Sequence, residues 1–478
     1  MIDWHKAPLV EPLNKSELYS ICSSAIEVLE TVGVRIQDQE MLQLLRDAGA
    51  DVDPDEKVAK MPEYLVKEAL MREPRQVNMA GRDGTHTLKL GSGRTYFANQ
   101  DASFMEDRKT RQWRASTKND VEKFAKLNDA LENVGLIVRP AARDISPEIM
   151  DLHEFEAVVH NTTKPFHLGP YRGADSITDF VKMASIARGH DKRLSDRPLF
   201  SVAACCTSPL SWDVWSLSIL KECAKHRSPV YVAGQPTLGG TGPVTLAGSL
   251  VVGTAEVLSG VVMGQLVNRG TPVMYWDGAY PVDQRTGVSA TGSPEHALIN
   301  FATPQVCKFL GIPSCVIALT DAFTFDAQAG YEKSFSFMSA ILGRADIVWG
   351  VGGMGPCLSY TQAVIDDEIV EMNLRIARGI EVNDDTLALD VIKRVGPGKA
   401  FIGDRHTKDH HRRELVLPSV SNRLPRQLWE SRGRPEIGSS ALKRANELIE
   451  THHVDPISKD IASELKDFIS RREKELVK

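Results

Sequence analysis

From residue 95 onward the apolar residues fall into short unbroken runs separated by longer segments with helical spacing. The runs lie at 95–99, 136–138, 165–168, 199–204, 230–233, 272–276, 314–319 and 346–350, and turn residues bound them. Such runs predict buried strands. Between and after them, apolar residues recur every three or four positions at 117–133, 149–160, 174–189, 212–226, 244–268, 294–311, 328–343 and 359–379. That spacing predicts helices. Eight strands in strict alternation with eight helices predict an α/β fold, a (β/α)8 TIM barrel with parallel strands and right-handed crossovers. An open doubly wound sheet is the alternative, and it seldom keeps eight strands in that order.

The ends of the chain follow other rules. Residues 1–90 predict an N-terminal helical extension, with helices at 16–32, 37–48 and 62–71 and a β-ribbon over 77–90. This extension serves oligomerisation or shapes one mouth of the barrel. Residues 91–380 form the expected catalytic barrel. Residues 381–478 predict a charged, mostly helical segment packed on it, with helices at 439–451 and 457–474.

The segment 244–267 has the length and apolarity of a membrane span. Its central Glu256 and its many small residues fit better a helix lying closely on a sheet. A net charge of −6 argues against nucleic acid or an anionic membrane as partner. The seven cysteines form no C-x-x-C pair, and reduced, mostly buried thiols in a cytoplasmic protein are expected. The first residues lack the basic and apolar regions of a signal peptide.

In such a barrel the chemistry sits at the carboxyl ends of the strands. Those ends supply Tyr96, Asn99, Asp101, Arg139, His167, Cys205, Gln235, Trp276, Asp277, Tyr280, Asp321, Phe323, Phe325, Trp349 and Tyr360. With aromatic residues at only 6% of the chain, their concentration here points to a wall for an organic cation. A quaternary ammonium has diffuse charge and no N–H to donate, so aromatic faces and a carboxylate hold it best. A neutral apolar ligand, or plain core packing, remains the alternative. The run Gly350-Val-Gly-Gly-Met-Gly355 matches G-x-G-x-x-G, but it follows the last strand rather than the first, and Pro356 comes next. The run from Asp404 to His411 has no zinc-motif spacing and reads as a solvated charged turn, so no bound metal is expected. His160 and His296 fall inside helical patterns and read as structural.

Several stretches resemble the trimethylamine methyltransferase (MttB-like) family. They are Gly239-Gly-Thr-Gly-Pro-Val-Thr-Leu-Ala-Gly248, Ala255-Glu-Val-Leu258, Gln265-Leu266, Gly270-Thr-Pro-Val273, the block from Thr320 to Glu332, Glu27-Val-Leu-Glu-Thr-Val-Gly-Val34, Ile365-Asp-Asp-Glu-Ile369 and Val395-Gly-Pro-Gly398. The resemblance implies a barrel that moves a methyl group from an amine to the cobalamin of a separate corrinoid protein. It also implies pyrrolysine in members acting on trimethylamine. This chain has none, and the matching place falls within 320–325, at Phe323 in this reading. It is similar to the non-pyrrolysine branch, whose substrates are quaternary amines.

Glycine betaine, demethylated to dimethylglycine, is the expected substrate. The alternatives are proline betaine, carnitine, or a binding barrel without turnover. Tyr96, Trp276, Phe323, Phe325, Trp349 and Tyr360 would enclose the trimethylammonium group. Asn99, Arg139, His167 or Gln235 would hold the carboxylate, and Asp277 and Asp321 would face the cation. Gly239, Gly240, Gly242, Gly352, Gly353 and Met354 would line the corrinoid's approach. A homo-oligomer is expected.

Overall fold

The computed structural model describes residues 7–191 and 196–477. Eight parallel strands close into a barrel. They are β1 (Tyr96–Asn99), β2 (Val134–Val138), β3 (Phe166–His167), β4 (Phe200–Cys205), β5 (Val230–Ala233), β6 (Val273–Trp276), β7 (Ser314–Ile317) and β8 (Ile347–Val351). The helices that follow them are α1 (Lys118–Ala130), α2 (Met150–Asn161), α3 (Ala174–Ala187), α4 (Val214–His226), α5 (Leu246–Val267), α6 (Pro294–Leu310), α7 (Ala327–Gly343) and α8 (Tyr360–Ala377). Strands β5 to β8 are Val/Ile-rich and almost wholly buried, as both faces of a parallel barrel strand must be.

Closure depends on one glycine. The register between β8 and β1 shifts between Trp349 and Val351. Gly350 sits at that shift with φ +145°, and a Cβ there would lie 2.0 Å from the Ala318 carbonyl oxygen. No other residue fits this backbone.

Helix α5 is apolar on every side because most of it is covered. It packs against the barrel, the N-terminal helix Lys15–Thr31 and the helix Glu63–Arg72. Within it, Gly253 lets the backbone approach so closely that a Cβ would lie 2.3 Å from the Gly278 carbonyl oxygen. Its buried Glu256 accepts from the Ser208 hydroxyl at 2.8 Å and the Leu210 N–H at 2.9 Å.

The N-terminal ribbon pairs Val77–Ala80 with Thr87–Leu90. Its Val77, Met79, Leu88 and Leu90 belong to the same buried cluster as the barrel-interior residues Tyr231, Met274 and Trp349. The ribbon therefore plugs the amino-terminal end of the barrel. At the opposite end, hairpins after β1 and after β8 join in a small sheet of Phe104–Glu106, Trp113–Ala115, Gly353–Met354 and Cys357–Leu358.

The C-terminal segment is helical. Ile437–Thr451 packs on α1 and α8, and Lys459–Leu476 packs on α3. The run after Asp404, expected to be a charged turn, is instead the helix Arg405–Glu414. Asp404 caps it by accepting from the His406 N–H. The high charge of this run hides a helix start that the Asp404 cap would have marked.

Candidate functional site

The centre of the carboxyl-terminal end is a group of four rings. Trp276 and Trp349 lie with centroids 4.7 Å apart, and His167 is 4.7 Å from Trp349. Tyr231 completes the group, 5.4 Å from His167 and 6.0 Å from Trp276. Alternation along the strands produces this arrangement. Residues two apart point to the same side, so Tyr231 and Ala233 on β5, and Met274 and Trp276 on β6, face the barrel interior. Trp349 is fully buried, whereas Trp276 is partly open. The indole N–H of Trp276 has no hydrogen-bond partner among the described residues. A buried indole N–H without a partner is unusual in a core, and Trp276 is also the ring of this group that is partly open.

Beside the rings is a buried ion pair. Arg139, one residue past β2, reaches Glu154 of α2 at 2.9 Å and has Asp101 at 3.9 Å. Its guanidinium lies over the Tyr171 ring, 5.4 Å from the centroid. Gly169 makes room for it, since a Cβ there would lie 1.9 Å from an Arg139 nitrogen. Burial lowers the Arg139 pKa, but its interactions with Tyr171, Glu154 and Asp101 outweigh it and hold Arg139 above its ordinary value. Burial raises Glu154 to about 7. Burial and the Arg139 charge hold His167 well below its ordinary value, so its imidazole is neutral, with Nδ1 3.1 Å from the Ser201 hydroxyl. Asp101 is the more open group of this set, its side chain 43% exposed.

On the other side of Trp276 the chain turns sharply. Asp277 has φ +52°, rare for a residue with a side chain, and its carboxylate holds the turn by accepting from the Gly278 N–H at 2.8 Å. His296 Nε2 is 3.5 Å from the same carboxylate, and its Nδ1 is 2.9 Å from the Thr291 carbonyl. The Tyr280 ring stacks on His296 at 5.6 Å, and Gln235 donates to the Tyr280 hydroxyl at 3.0 Å. Asp321 accepts from the Thr291 hydroxyl and the Gly292 N–H, which ties the β6 and β7 loops together.

The structure thus brings His167, Trp276, Trp349, Arg139, Gln235, Asp277 and Tyr280 around one mouth. Other expected site residues lie elsewhere. Tyr96 is at the amino-terminal end, where its hydroxyl accepts from the Lys89 N–H of the plug, because it starts β1 rather than ends it. Asn99 is consumed between strands, accepting from the Val138 N–H and donating to the Val138 carbonyl. Tyr360 is turned into the helix layer, donating to Asp120 and packed on Phe124. Phe325 lies under the Arg111 guanidinium and against Gly438. Phe323 is 68% exposed at the rim and packs edge-on against Trp113.

The two glycine groups also separate. Gly352, Gly353 and Met354 are buried, with the Gly352 N–H donated to Asp366, so they cannot line an approach from outside. Gly239 and Gly240 are exposed on the loop after β5, with Gly242 partly so. Tyr231, Glu154, Tyr171 and His296 were not among the expected site residues. Only Tyr231 carried a signal, its two-residue spacing from Ala233 on a strand whose end was already singled out.

Fold and site together define a (β/α)8-barrel enzyme whose mouth has an aromatic floor and a buried arginine at its side. The family model described as trimethylamine methyltransferase (MTTB) matches residues 3–477. The chain belongs to that family and is a methyltransferase. It is 33% identical over 464 residues to the trimethylamine methyltransferase MttB of Desulfitobacterium hafniense (strain DSM 10664 / DCB-2), covering 96% of this chain and 93% of that one. It is 30% identical over 478 residues to the glycine betaine methyltransferase of Desulfitobacterium hafniense (strain Y51), covering 98% of each. Among solved structures, the Methanosarcina barkeri monomethylamine methyltransferase (MtmB) shares the fold with a TM-score of 0.51 at 14% identity, over 94% of this chain and 96% of that one.

Proposed function

We propose that this methyltransferase takes a methyl group from a quaternary amine, with glycine betaine as the favoured substrate, and passes it to a corrinoid protein that docks over the mouth. The observation that carries this reading is the group of His167, Tyr231, Trp276 and Trp349 at the floor of the mouth. Its partly open face, Trp276, suits a trimethylammonium group. The chain also has no pyrrolysine, which the family resemblance ties to trimethylamine.

In this reading the substrate's two ends have separate hosts. Trp276 stacks against the methylated nitrogen while the half-open Asp101 faces its charge. Arg139 receives the carboxylate, because Asn99 is already committed and His167 is neutral. The leaving group is a neutral tertiary amine, so no proton has to move. The residues act by fixing one methyl carbon toward the opening and keeping water from the cation. The reduced cobalt of a corrinoid, when its carrier protein docks, supplies the nucleophile that takes the methyl group.

The rim suits a docking protein. Val244, Val288 and Phe323 are exposed on the three successive loops after β5, β6 and β7. The first two of these loops are joined by Gln284 donating to the Leu238 carbonyl at 3.0 Å. A cytoplasmic setting completes the reading.

Calorimetric titration tests the substrate assignment. Glycine betaine should bind at least about tenfold more tightly than its neutral-carbon isostere 3,3-dimethylbutanoate. Equal affinity for the two would remove the cation site from the account.

A further inference from the structure

Outside the barrel, Asp385, His406 and His410 each offer a ligand atom, and these atoms all lie within 4.8 Å of one another. The helix Arg405–Glu414 places His406 and His410 four residues apart on one face, with ring centroids 4.2 Å apart. Both side chains converge on one residue. His410 Nε2 is 3.4 Å from an Asp385 carboxylate oxygen, and His406 Nε2 is 3.2 Å from the Asp385 carbonyl oxygen.

The local frame holds these donors in place. Asn383 caps the short helix Asp384–Leu387 by accepting from the Thr386 N–H. Asp404 caps the histidine helix and is itself gripped by Arg394 at 2.7 Å. The neighbouring His411 is turned away, its Nδ1 3.1 Å from the Lys408 carbonyl.

We propose that Asp385, His406 and His410 bind one divalent transition-metal ion of the zinc class. Two imidazoles and one carboxylate form a nitrogen-rich donor set. Such a set suits Zn2+, Co2+ or Ni2+ and is poor for Mg2+ or Ca2+, which want oxygen. Three protein ligands leave a position for water. Paired histidines one turn apart on a helix are a recurrent half of such sites. The ion would clip the Asp384–Leu387 helix to the Arg405–Glu414 helix and close the chain between them. This site lies apart from the barrel mouth and does not depend on the substrate reading.

The test uses the full chain, stripped of metal with a chelator and then titrated with ZnCl2 by calorimetry and with CoCl2 by visible absorbance. One equivalent should bind, and zinc should raise the melting temperature. His410→Ala and Asp385→Asn should each weaken binding by about tenfold or more and abolish the thermal shift, while His411→Ala should bind as the unaltered protein does. Circular dichroism checks that the variants keep their helices. Absence of zinc binding in the unaltered protein would overturn the proposal. So would equal binding in His410→Ala and Asp385→Asn, which would mean an adventitious ion only.

Discussion

Trp276 and Trp349 come from strands that are not neighbours in the barrel, yet their rings lie 4.7 Å apart. If this pair is the floor on which the methylated nitrogen rests, Trp276→Ala should cost about 1–2 kcal/mol of glycine betaine affinity, roughly tenfold in Kd. Affinity for the neutral isostere 3,3-dimethylbutanoate should change much less. Calorimetry on both ligands checks this, because simple loss of packing would weaken both alike.

The Arg139–Glu154 pair makes a second prediction. Removing Arg139 alone would strand a buried carboxylate, so the informative variant is the double change Arg139→Met with Glu154→Gln. It should bind glycine betaine at least about tenfold more weakly. Choline, which has the cation without the carboxylate, should bind as before.

The same pair sets a pH dependence. Burial raises Glu154 to about 7. As pH falls from 8 to 6, Glu154 takes up a proton and Arg139 loses its competing counter-charge. Glycine betaine affinity should therefore rise toward pH 6, while choline affinity stays flat. Glu154→Gln should abolish the difference between the two ligands.

Stability has its own titrating group in Glu256 of α5. Burial raises its pKa from 4.5 to about 7. The folded value exceeds the unfolded one, so its contribution to stability is complete below about pH 4.5 and is lost as pH rises through about 7. The loss amounts to about 3 kcal/mol. Urea melts of Glu256→Gln across this window should show a correspondingly shallower decline.

Gly350 is predicted to be irreplaceable. Gly350→Ala places a Cβ 2.0 Å from the Ala318 carbonyl at the β8–β1 register shift. The destabilisation should be on the order of 3 kcal/mol or more, read from the urea midpoint.

The barrel was legible because its signal is periodic. Each strand is an apolar run set off from a helical pattern, and each of the eight runs became a barrel strand. The site was legible only where a side chain's position along its strand could be inferred. Trp276 and His167 end their strands and face the mouth. Tyr96 begins its strand and faces the plug, and nothing in a short apolar run marks which residue comes first. Asn99 and Tyr360 sit near the correct end, but hydrogen bonds to Val138 and Asp120 divert them. The glycines at 352 and 353 looked like a ligand cradle, yet they form a hairpin paired to the loop after β1, a long-range contact that local spacing does not encode. Glu154 and Tyr171 come from a helix and a loop, and only the fold brings them to Arg139.

The most direct measurement is methylation of cob(I)alamin, followed by absorbance, with glycine betaine, proline betaine, carnitine, choline and trimethylamine offered in turn. The account predicts turnover with a quaternary amine, glycine betaine foremost, with dimethylglycine as its product and no turnover with trimethylamine. Turnover with trimethylamine, or binding of a betaine without any methyl transfer, would contradict it.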